Sequence, residues 1–186
     1  MSESKWIVSN DSKDGIVRAS TIKPRLDYAG EIMDGIMEVL VARRMALNGS
    51  NVELYRRCVG SKEILKGLED NIRCELEVSY AIESLRQVRR GFDSIVGLGN
   101  VATMLSPAIS IVRIVRSRMH SVIPSLDYKL GDLSVLLSGI IVDAAHLAGL
   151  TLDFGHANDE SRLLLDEAKL IADSKLCKQF PNLDFL

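Results

Sequence analysis

The residues able to do chemistry are dispersed along the chain. Three histidines (His120, His146, His156) and three cysteines (Cys58, Cys74, Cys177) are the natural metal ligands or nucleophiles. None stands at HExxH or CxxC spacing, and no Cys/His pair is suggested by position. An odd number of unclustered cysteines argues against a disulfide framework and fits a reducing cytosol. The close carboxylates Glu69-Asp70 and Glu75/Glu77 could act as acid and base, but they lie in a long helical stretch where a solvated face is the simpler reading. Gly97-Leu98-Gly99 lacks the preceding strand and third glycine of a dinucleotide loop, and there is no P-loop. No catalytic residue, metal site or cofactor is therefore expected, which points to a scaffold and not to an enzyme. The concentrated chemistry is cationic: six arginines lie between Arg86 and Arg118 against one carboxylate, Asp93.

The elements that would carry these groups are helices. Leu26, Gly30, Met33, Met37, Leu40, Leu47, Leu54 and Cys58 recur at steps of four and three, with Arg44 and Asn51 in the two remaining slots of the stripe. That spacing places one seam on one side of a helix, and its phase continues through Asn48-Gly49-Ser50. A single first helix starting at Pro24 is expected. Gly60-Ser61 supplies a turn and an N-cap. A second helix follows through Leu65, Leu68, Ile72, Leu76, Val78, Ile82, Leu85, Val88, Phe92 and Ile95. Two long helices joined by so short a tip form an antiparallel hairpin.

With 186 residues, 47% apolar, 5% aromatic and four prolines, the chain is one all-α domain with appendages. The expected fold is a long antiparallel helical hairpin (about 24–98), then shorter helices over 106–148, a linker at 150–158, and a C-terminal amphipathic helix in the segment 159–186. Residues 23–149 make the core. Ser106-Pro107 reads as a helix start, Pro124 as a stop, Asp127 or Ser125 as the next start, and Gly149 as its end. Ser94 to Val112 is uncharged for 19 residues. Its glycines, Asn100 and Pro107 favour a buried helix–turn–helix over a membrane span.

A net charge of −2 gives no reason to expect a nucleic-acid partner. Its distribution is uneven: residues 121–186 hold five basic and ten acidic residues, while the front of the chain is mildly basic. Residues 1–22 are polar except for Trp6-Ile7-Val8. They read either as a disordered tail or as a membrane anchor, with Trp6 and Ile7 inserting and Lys13, Arg18, Lys23 and Arg25 meeting anionic headgroups.

Two segments carry a family resemblance. The first runs through Leu98-Gly99-Asn100-Val101, Leu105-Ser106-Pro107, Ile111-Val112, Arg116-Ser117-Arg118-Met119, Val122-Ile123-Pro124 and Leu130-Gly131-Asp132. The second is Glu167-Ala168, Ala172 and Phe180-Pro181-Asn182-Leu183, with Leu54-Tyr55-Arg56-Arg57-Cys58-Val59 as a further match. In this order the chain resembles the ESCRT-III proteins, specifically the archaeal cell-division members of the CdvB group, in a short form without the winged-helix-like extension. The resemblance implies a filament-forming subunit that polymerises with itself and with paralogues on anionic membrane. It would constrict the membrane in archaeal cell division or vesicle budding, from the cytoplasmic face. An AAA ATPase with an MIT domain would remodel the polymer by gripping the last helix, here through Glu167, Leu170 and Lys178. Asp173-Ser174 stands where that family's helix has Arg-Leu. The basic residues Arg43, Arg44, Arg56, Arg57, Arg86, Arg89, Arg90, Arg113 and Arg116 are assigned to the polymer interface. The rival expectation is a soluble helical-bundle adaptor with no membrane role.

Overall fold

The seam from Leu26 to Leu54 lies in one helix, and its last expected residue, Cys58, lies outside the described residues. The computed structural model describes residues 13–57, 61–149 and 154–180. Among them are five α-helices and no strand. Helix α1 (Lys13–Arg57) is 45 residues long, about 68 Å at ~1.5 Å per residue. It passes through Asn48-Gly49-Ser50 without a break, as the seam requires. Leu26, Met33, Leu40 and Leu47 are buried, and so are Ile22, Ala29 and Ile36, which widen the stripe.

The start of α1 differs from expectation. The helix begins before Pro24, which lies inside it. An internal proline forfeits one backbone hydrogen bond and costs about 3 kcal/mol. Ile22, completely buried and in phase with Leu26, recovers ~1.5–3 kcal/mol by burial. Apolar phase thus carries the helix past a residue that local propensity treats as a start.

Helix α2 (Lys62–Asp93) is capped by Ser61, whose Oγ accepts from the Ile64 N–H at 3.4 Å. Every residue from Val78 to Leu85 is buried. No amphipathic helix shows this; it follows from α2 being enclosed by α1, α3 and α5. Helix α2 stops at Asp93, earlier than the sequence suggests, and α3 (Leu98–Met119) starts earlier. Asn100 decides the turn: its Oδ1 accepts from the Val96 and Gly97 N–H groups, each at 3.3 Å, and its amide donates to the Ser94 carbonyl. Leu98-Gly99-Asn100 therefore opens α3 and does not close α2. Pro107 lies within α3, and the neighbouring Ser106 hydroxyl bonds back to the Ala102 carbonyl.

A short 3₁₀ turn at Pro124–Leu126 leads into α4 (Asp127–Ala148), which ends on Gly149 at φ 66°, the left-handed cap that glycine suits. Helix α5 (Phe154–Gln179) begins ahead of Asp159, inside the stretch expected to be a linker. Helices α3 and α4 are long and apolar enough to cross a membrane, but half of each apolar window is buried in the bundle.

Helix α4 packs on α3 and α1, and α5 packs on α2 and α3. The main core joins all five helices. A separate cluster of Leu68, Ile72, Leu176 and Phe180, with Tyr55 against it, closes the tip half of the hairpin. Helix α5 thus runs antiparallel to α2, from Gly91 and Met104, close to Glu160 and Leu164, towards the tip.

Candidate functional site

Helix α5 turns one face inward and one outward. Ala157, Ser161, Leu165, Ala168, Ala172 and Leu176 are buried, with Phe180 completing the row. Leu163 and Leu170, each 71% exposed, share the outer stripe with Glu167 and Lys178. The three residues expected to meet an ATPase thus lie together on the solvent face of a docked helix. The inner face is held by packing and, among the described residues, by an ionic contact in which Lys175 of α5 pairs with Glu83 of α2. Glu83 also accepts from Arg86 at 2.8 Å. Glu83 is 4% exposed, and the two cations supply the partners that a buried carboxylate requires. At the tip, Phe180 meets Tyr55 edge-on with ring centroids 5.6 Å apart.

A second buried carboxylate corrects the reading of Glu75 as a solvated residue. Glu75 is 3% exposed and faces α1, where Asn51 Nδ2 donates to it at 2.6 Å and Asn48 Nδ2 at 3.0 Å. Asn51 occupies a slot of the apolar seam, and it is completely buried. A polar pair at one level of two long greasy helices fixes their register, because sliding would strand both groups. The signal was present as a polar residue in an apolar phase; nothing in the sequence named its partner.

The assigned arginines separate into a paired set, an exposed set and Arg44. Arg86, Arg89 and Arg116 work inside the fold. Arg89 reaches α1 and pairs with Asp34 at 3.0 Å, held also by Asp93; the Asp34 hydrogen bond raises the Arg89 pKa further. Gly30 leaves room for this guanidinium, since a Cβ there would lie 3.3 Å from it. Arg116 pairs with Asp127 at 2.8 Å. That bond, with a smaller contribution from His120, lowers the Asp127 carboxyl to about 2. Arg43, Arg56, Arg57, Arg90 and Arg113 are exposed and make no ion pair among the described residues. Arg44 is half-buried and lines a groove of about 490 Å³ with Asn48, Glu75 and Lys175. Arg118, absent from the assigned set, lies over the Tyr80 ring at 4.4 Å and pairs with Glu77 at 3.0 Å.

Of the residues assigned to membrane contact, Trp6 and Ile7 lie outside the described residues. Lys13 and Arg18 fall in the first turns of α1. Lys23 is exposed and pairs with Asp27, while Arg25 is half-buried and holds Asp143 of α4 at 2.8 Å. Among the described residues, no three His, Cys, Asp or Glu side chains converge as a metal site. Burial raises the Cys74 thiol pKa, partly offset by Arg43.

The described residues thus present a long hairpin with exposed cations and a C-terminal helix packed on it, with Leu163 and Leu170 facing outward. The chain is similar to Cell division protein B1 of Sulfolobus acidocaldarius, 25% identical over 171 residues, which span 89% of this chain and 75% of the relative. The match supports the CdvB-like ESCRT-III resemblance of the sequence, as does the all-helical fold. No family model matches the chain. No solved structure matches it.

Proposed function

We propose that this CdvB-like chain is a structural subunit that polymerises on the cytoplasmic face of an anionic membrane during archaeal cell division. The observation that carries the reading is the pairing of two long helices, α1 and α2, with α5 laid along α2, joined to the likeness with a named cell division protein. In this reading the exposed Arg43, Arg56, Arg57, Arg90 and Arg113 contact neighbouring subunits or paralogues, and the paired Arg86, Arg89 and Arg116 hold the subunit's own shape. Helix α5 covers α2 and restrains assembly; the equilibrium between docked and released α5 sets how much assembly-competent subunit exists. An MIT-bearing AAA ATPase would grip the outer stripe of Glu167, Leu170 and Lys178 and draw α5 away.

Membrane contact would come from Trp6 and Ile7, helped by Lys13, Arg18 and Lys23. Arg25 contributes less in this reading, because Asp143 already holds it. Residues 1–12 can be removed with α1 left whole, whereas removal to residue 22 also takes Ile22 out of the core. The test is sedimentation with acidic vesicles: binding that falls with salt and with loss of residues 1–12 is expected. Equal binding by the shortened chain refutes the anchor. A chain that ends at Gly155 should polymerise at lower concentration than the full chain; an unchanged threshold refutes the restraint.

A further inference from the structure

We infer that the outer face of α4 docks into the groove between α1 and α2 of a second copy of this chain. The inference rests on the polymer reading above and names the surfaces through which copies join. Helix α4 is the most apolar of the five, yet Tyr128, Val135 and Val142 are 77%, 74% and 57% exposed. Their seven-residue spacing sets them in one line along the helix. That line is bounded by two ion pairs, Arg116–Asp127 on one flank and Arg25–Asp143 on the other. Gly131 and Gly139 admit these guanidiniums: a Cβ would lie 3.1 Å from Arg116 and 2.8 Å from Arg25. The fold thus clamps α4 by its sides and leaves its apolar ridge bare.

The same molecule carries a matching depression. Met37, Val41, Ala42 and Met45 of α1 and Ile82 of α2 line a shallow groove of about 480 Å³, with Asp34, Glu38 and Arg86 on its rim. Met45 is 68% exposed. Thioether side chains adapt to an aromatic knob such as Tyr128. Asp34 and Arg86 are already paired with Arg89 and Glu83, so Glu38 is the uncommitted rim charge. Beside Tyr128 stands Lys129, exposed and without an ion pair among the described residues. Within one chain the two surfaces do not meet: the groove is lined by α1 and α2 alone, while α4 packs on α1 and α3. A ridge and a groove at different places on each copy make a heterologous contact, which propagates instead of closing.

The test is sedimentation velocity of the full chain across a concentration series. Lys129→Glu and Glu38→Lys should each weaken self-association by about tenfold or more, because like charges then face each other. The double variant, with charges exchanged, should restore it. All these side chains are exposed, and circular dichroism checks that the helices persist. Single variants that associate like the parent, or a double variant as weak as the singles, overturn the inference and leave the polymer reading standing. A parent chain that stays monomeric throughout overturns both. Val135→Glu should weaken self-association too; if it instead abolishes only binding to acidic vesicles, α4 faces lipid and the inference fails.

Discussion

Phe180→Ala tests the grip of α5 most sharply. Phe180 is 2% exposed and packs with Leu68, Ile72, Leu176 and the Tyr55 ring at the hairpin tip. Truncating a buried phenylalanine to alanine costs about 3–5 kcal/mol. The lower end applies here, because the site lies one residue beyond the end of α5 and its neighbours can close in. The main core is untouched, so the loss falls on the docking of α5. At ~1.4 kcal/mol per decade, 3 kcal/mol raises the undocked population roughly 100-fold. Hydrogen exchange read by mass spectrometry over residues 154–179 should show protection falling by about that factor, while α1–α3 peptides stay protected. Leu170→Ala, on the outer face and 71% exposed, should change nothing. Unchanged protection of α5 in Phe180→Ala would refute the claim that the tip cluster holds this helix.

Other outcomes follow from the same contacts. Glu75→Ala strands the Asn48 and Asn51 amides and should lower stability by ~1–3 kcal/mol in urea titration, with the Asn51→Leu/Glu75→Leu pair recovering much of it. Gly49→Ala should stabilise by about 0.5–1 kcal/mol in the same assay, since open space surrounds that position within α1, two turns from its end. The Asp127 carboxyl is lowered from 3.8 to about 2, so its stabilising contribution is complete above pH 4 and is lost as pH falls through 2; thermal melts of Asp127→Asn should lack that component of the acid limb. Peptide mapping after brief alkylation should find exposed Cys177 labelled ahead of Cys74, whose thiol pKa is raised by burial.

The long hairpin was legible because apolar phase over many turns outweighs single residues. Asn48-Gly49-Ser50 left α1 intact, as the seam predicted, and the Ser61 cap and Gly149 stop came from local chemistry that needs no partner. The misplaced boundaries share one cause. Pro24 and Pro107 read as helix starts, and Gly155 and Asn158 as linker residues, yet burial of Ile22, of Val101 and Leu105, and of Ala157 draws the adjoining turns into helices. The site was less legible because its key contacts join distant positions. Lys175 and Glu83 are 92 residues apart, and Arg25 and Asp143 are 118 apart. Spacing along the chain could mark Arg86, Arg89 and Arg116 as basic, but only the fold shows that acidic partners already occupy them.

The most direct measurement of the central claim is negative-stain electron microscopy of the full chain, with and without acidic vesicles. Filaments built from a repeating rod are expected, more abundant on the acidic surface. Single particles of one subunit's size at every concentration, with bare vesicles beside them, would contradict it.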